Sequence, residues 1–123
     1  MAHAQVIADD IELFEMANLG PALTGVDGTI YISTQQAGHA PRVKYYAGRP
    51  GPDQPSLSVT VSDRPQIAAS ELPERVLRRM SPAVTGWVRL NHEKLSDFWF
   101  HGNTWMDDEV TTFKASLAKW PGH

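Results

Sequence analysis

Three short segments in the first half of the chain alternate apolar and polar residues with a period of two. Within residues 29–34, Ile30 and Ile32 fall on one side; within 42–46, Val43 and Tyr45 do; within 57–62, Leu57, Val59 and Val61 do. Successive side chains of a strand point to opposite faces, so each segment predicts a strand with one apolar side. The other side collects Thr29, Tyr31, Ser33, Arg42, Lys44, Tyr46, Ser58, Thr60 and Ser62. One apolar and one polar face is the pattern of a largely antiparallel sheet covered on one side. Asp27-Gly28 and Asp63-Arg64-Pro65 are turn signals. Residues 47–55, with three prolines and two glycines, form an exposed loop. Residues 66–69 have room for a short edge strand.

Around these strands the period changes. Residues 4–18 fit two readings: Ile7, Ile11 and Phe14 at i, i+4 and i+7 favour a helix, whereas Ile11 and Leu13 alternate as a strand would. Residues 18–25, broken by Gly20, Pro21 and Gly25, read as irregular. Downstream, Ser70 and Glu71 open a helical stretch carrying Leu72, Val76, Leu77 and Met80, and Ser81-Pro82 predicts a second helix start. Val84, Val88, Asn91, Leu95 and Phe98 then form a stripe at helical spacing, flanked by Trp87 and Trp99 and closed by Gly102. Asp107, Asp108 and Glu109 suit the start of a last helix, where its dipole favours acids, with Val110, Phe113 and Leu117 as its stripe. The expected fold is α+β: a small three- to four-stranded, mostly antiparallel sheet with C-terminal helices packed on one face, as a single domain over residues 1–123.

Composition changes this picture little. Of 123 residues 41% are hydrophobic and 20% charged, which excludes collagen-like and wholly disordered chains. Absence of cysteine removes disulfides, thiolate metal sites and cysteine nucleophiles. The first fifteen residues carry no Lys or Arg and have Asp9, Asp10 and Glu12 within their apolar stretch, so no secretory leader is expected there. With no long apolar run either, the expected location is the cytoplasm, away from membranes. The net charge of −3 is unevenly spread: residues 42–94 hold nine Lys and Arg against five acids, between acidic ends.

Few residues carry chemistry. The histidines (His3, His39, His92, His101 and His123) lack metal-ligand spacing, and no metal or cofactor is expected. Glu93 and Asp97 lie one helical turn apart beside His92, the spacing of an acid–base pair but more often of a solvated face. Arg75, Arg78 and Arg79 form a basic helix face. No catalytic residue can be assigned, and there is no nucleophile elbow, phosphate loop or dinucleotide fingerprint. The polar sheet face offers the one concentrated set of binding groups. Arg42 and Lys44 supply charge, Tyr31 and Tyr46 supply rings, and His39 lies nearby, a combination able to hold an anionic ligand or stack single-stranded bases.

Four motifs follow one another: Asn18-Leu-Gly-Pro-x-x-Thr-Gly25, Ile30-Tyr-Ile-Ser33, Gly38-His-Ala-Pro-Arg-Val-Lys44 and Ser58-Val-Thr-Val-Ser62. Leu90-Asn91, Leu95 and Trp99 come after them. Over about residues 12–120 this set resembles a family of short bacterial proteins of unknown function. Its members read Asn-Leu-x-Pro-x-x-Thr-Gly-Leu-Pro, an Ile-Ser strand, His-x-x-Arg-Val-Lys and Leu-Asn-x-x-x-Leu-x-x-x-Trp. Val26-Asp27 departs from the family's Leu-Pro, and residues 71–80 add helical length. The resemblance implies a one-domain bacterial cytoplasmic protein and brings no catalytic residues. The leading expectation is a binding or regulatory module acting through a protein partner. The alternative is a small enzyme, or a single-stranded nucleic-acid or nucleotide binder, using the polar sheet face.

Overall fold

The computed structural model describes residues 16–35 and 38–121. Five strands follow in order: β1 (Met16–Leu19), β2 (Thr29–Ser33), β3 (Arg42–Tyr46), β4 (Leu57–Thr60) and β5 (Ile67–Ser70). Each pairs antiparallel with the next, so spatial order equals chain order. A single helical turn, α1 (Pro21–Thr24), links β1 to β2. A long helix, α2 (Glu74–His101), a 3-10 turn (Gly102–Thr104) and a last helix, α3 (Asp107–Ser116), follow the sheet. The fold is α+β, with five strands where three or four were expected. Of the segment 4–18, whose reading was open, only Met16, Ala17 and Asn18 are among the described residues, and all three belong to β1. Ile7, Ile11 and Phe14 lie outside them.

Alternation places the core. Leu19, Ile30, Ile32, Val43, Tyr45, Leu57 and Val59 are buried on one face of the sheet. Val84, Trp87, Val88, Leu95 and Phe98 of α2 are buried in the same cluster. Strand β4 departs from pure alternation, because Ser58 on the outer face is also buried and Val61, past the strand's end, is only half-buried. Tyr46, another outer-face residue, is 9% exposed. Both side chains lie beneath the loop between β3 and β4, which line the same cavity with them. The outer face is therefore partly roofed.

Two expected helix boundaries are corrected. Ser70 ends β5 and Glu71 follows it, with the Glu71 N–H donating to Ser56 O at 2.8 Å, so the helix starts at Glu74. Sheet pairing takes these two residues away from the helix. Pro82 lies inside α2 rather than at a start, and the helix runs through it, with the Thr85 hydroxyl donating to Ser81 O at 2.8 Å. A proline costs a helix one hydrogen bond; burial of Val84, Trp87 and Val88 one turn later offsets that loss. The break comes instead at Asn91, whose φ of −117° and ψ of 15° leave the helical region.

Behind the kink the chain returns as a strap. Trp120 N–H donates to Thr24 O at 2.7 Å, and Lys94 Nζ donates to Ser116 O at 2.7 Å. Gly86 is required for this path, since a Cβ there would enter the Trp120 ring. Gly25, at φ +75°, ends α1 in the left-handed region beneath the Trp120 backbone. The last helix is held by an aromatic trio. Phe98 and Phe113 stack at 5.0 Å, and Trp105 stands 5.8 Å and 5.3 Å from them.

Tyr45 gives the fold an alkaline limit. Its hydroxyl donates to Asp27 O at 2.7 Å, and burial, then the Asp27 charge, push its pKa above the usual 10.0 while Arg79 pulls the other way. Because the folded pKa exceeds the unfolded one, this stabilisation is complete below pH 10 and is lost as pH rises through the folded value. Tyr45 should ionise above the ordinary tyrosine range in an ultraviolet titration. The variant Tyr45→Phe should show a flatter loss of stability above pH 10. An unchanged profile in that variant would assign the alkaline loss to other groups.

Candidate functional site

The outer face is read from the register of the strands. Asn18 sits opposite Tyr31, Tyr31 opposite Lys44, Lys44 opposite Ser58, and Ser58 opposite Ala69, making one row across all five strands. Arg42 pairs with Thr60 and Tyr46 with Thr29, one step to either side along β3. Residues two apart on a strand are about 7 Å apart and share a face, so Arg42, Lys44 and Tyr46 form a ridge down the middle strand.

The loop of residues 47–56 leans over this ridge. Its first part is held where Thr29 Oγ1 donates to Gly48 O at 2.9 Å. At its end the Ser56 N–H donates to Glu71 Oε1 at 3.2 Å, and the Ser56 hydroxyl reaches the same oxygen at 3.4 Å. Between these anchors Pro50 and Pro52 fix two φ angles. Two open cavities result. One, of about 330 Å³, is lined by Asn18, Tyr31, Lys44, Tyr46 and residues 50–52. The other, of about 300 Å³, carries Arg42, Lys44, Tyr46, Ser58 and Glu71 beside the loop.

Tyr31, Arg42, Lys44 and Tyr46 are thus brought together, as expected from the sequence. His39 is exposed in the β2–β3 connection and lines neither cavity. Asn18, Ser58, Glu71 and the loop tip were not anticipated. The one signal for them was the density of proline and glycine beside β3, which marks a stiff loop but not its direction.

The charges of the site are not internally balanced. Arg42 and Lys44 are half-buried, and among the described residues neither side chain forms an ion pair or hydrogen bond. Across the strands Lys44 faces Tyr31 and Ser58, and Arg42 faces Thr60, none of them acidic. Opposite charges facing each other across strands stabilise a sheet, and neither cation has such a partner among these neighbours. Among the described residues Glu71 is the one carboxylate lining either cavity, and its Oε1 is already engaged by Ser56.

Other sequence candidates carry less. Arg78 pairs with Glu74 at 3.3 Å, an exposed i,i+4 contact of little energetic weight. Glu93 and Asp97 are exposed, and His92 Nδ1 lies 3.0 Å from Arg89 O. No group of three potential metal ligands occurs among the described residues. A groove beside α3 is lined by Asp108 and Glu109 with Trp105 and Phe113, and has no cation. Among the described residues no helix is long and apolar enough to cross a membrane. No family model, curated protein or solved structure matches this chain.

Proposed function

We propose that this protein is a binding module whose working surface is the outer face of the sheet and whose ligand is anionic. The observation that carries this reading is the ridge of Arg42 and Lys44: half-buried, side by side, unpaired, and opening into two cavities under a stiff loop. A bound anion would accept charge-assisted hydrogen bonds from both side chains.

Binding is favoured over catalysis because, among the described residues, no histidine lines either cavity and Glu71 is the one carboxylate that does. A protein partner docking through apolar contacts has less to use. The exposed large apolar side chains are Ile67, Leu90, Phe100 and Met106, spread over β5, α2 and the turn before α3. Single exposed apolar residues are ordinary.

The test is a titration with nucleotides and short single-stranded oligonucleotides at low and physiological salt. Binding is expected at low salt and should weaken as salt rises, since ion contacts are screened. Each charge-assisted contact is worth about tenfold in affinity, so Arg42→Ala with Lys44→Ala should cost roughly a hundredfold. Equal binding by wild type and double variant would leave the ridge as a merely solvated surface.

A further inference from the structure

We infer that the ligand of the outer sheet face is a mononucleotide, its base seated in the cavity by Tyr31 and its phosphate on Lys44 and Arg42. This rests on the reading of that face as an anion site and adds the shape of the ligand. The two cavities share Lys44, Tyr46, Gly51 and Pro52. Residues common to both lie between them, so a single ligand touching Lys44 reaches into either side.

The two sides differ in chemistry. Beyond the shared residues, the first cavity adds Tyr31, Pro50 and Asn18. It offers flat apolar surface for a ring, with one amide for its polar edge. The second adds Arg42, the hydroxyl residues Ser56, Ser58 and Ser70, and Glu71. Glu71 lies on the far side of β4 from Tyr31, with its Oε1 held by Ser56, and a phosphate goes to the two cations. A ring and a phosphate in one molecule match this arrangement.

Length separates a mononucleotide from an extended strand. The loop tip, Gly51-Pro52, stands over the middle strand, with its approach held at Thr29 and its exit at Glu71. A mononucleotide needs only the two cavities that meet at Lys44. Each cavity, at about 330 Å³ and 300 Å³, suits a small molecule.

The experiment is calorimetric titration of the full chain, at low salt, with adenosine 5′-monophosphate, adenosine, ribose 5-phosphate and an eight-residue oligothymidylate. Adenosine 5′-monophosphate is expected to bind about tenfold or more tightly than either adenosine or ribose 5-phosphate, as stacking and charge each contribute. The oligomer should bind no more tightly than the mononucleotide. Tyr31→Ala should bring the mononucleotide down to the affinity of ribose 5-phosphate, while Tyr31→Phe, which keeps the ring and the fold, should retain the advantage. If ribose 5-phosphate matches adenosine 5′-monophosphate, the anion site stands and the base subsite is refuted. If the oligomer is much the tighter ligand, an extended strand replaces the mononucleotide. If no anion binds at all, both this inference and the reading beneath it fall.

Discussion

Replacing Trp99 with alanine is expected to lower the free energy of unfolding by about 3–5 kcal/mol, the usual cost of emptying a large buried site. Trp99 is 2% exposed near the end of α2, and its carbonyl accepts the Gln35 N–H at 2.7 Å. The side chain therefore fills a site next to the point where the end of β2 meets the long helix. Its indole Nε1 is buried without a hydrogen-bond partner, as is that of Trp87. An unpaired buried donor costs about 1–3 kcal/mol, so Trp99→Phe, which loses area but discards that donor, should cost clearly less than alanine. Urea unfolding followed by circular dichroism gives both values. An unchanged midpoint for Trp99→Ala would mean that the ring belongs to a contact surface and not to the core.

The same helix shows what a sequence pattern carries and where it stops. The stripe of Val84, Val88, Asn91, Leu95 and Phe98 is buried throughout, because helical spacing alone decides which side meets the sheet. Strands β2, β3 and β4 were legible for the corresponding reason. Strand β5 was legible only as room for a short edge strand at residues 66–69, and β1 only as one of the two open readings of residues 4–18. Met-Ala-Asn-Leu is too short to show alternation, and Ile-Ala-Ala-Ser is exposed at all four positions, so no burial pattern marks it. Both are held by backbone pairing to a neighbour that the pattern did identify. The Ser81-Pro82 signal failed for a tertiary reason: apolar residues on both sides of it pack into one continuous surface, and packing outweighs the local preference for a helix start.

At the site, alternation was enough to put Tyr31, Arg42, Lys44 and Tyr46 on one face, since a strand leaves a side chain only two directions. It could not show the roof. Whether a ten-residue loop leans over the sheet or away from it depends on anchors such as Thr29 with Gly48 and Ser56 with Glu71, residues distant in sequence. Those anchors convert an open face into two cavities, and they bring Glu71, which the helical reading had assigned elsewhere, to the edge of the cations. His39 was grouped with Arg42 and Lys44 by nearness along the chain. The chain turns into β3 after it and leaves it outside the cavities.

Asn91→Ala is the second substitution with a large expected effect, about 2–4 kcal/mol. Asn91 is 3% exposed and makes three hydrogen bonds: Nδ2 donates to Trp87 O and to Ala118 O, each at 3.0 Å, and Oδ1 accepts the Ala118 N–H at 2.8 Å. The two contacts to Ala118 imitate a strand pairing with a single side chain, and they fasten the strap that carries Trp120 over Gly86. Alanine removes the amide and strands the Ala118 donor and acceptor, each worth about 1 kcal/mol or more when part-buried. Asn91→Asp makes a sharper test. At neutral pH its carboxylate would face two carbonyl oxygens and keep only the Ala118 N–H, so it should be at least as destabilising as alanine. Below the ordinary carboxyl pKa near 4, protonation restores one donor, and the variant should regain part of the difference from wild type. A stability gap that stays constant from pH 7 to pH 3 would show that Asn91 acts by its shape and not by its hydrogen bonds.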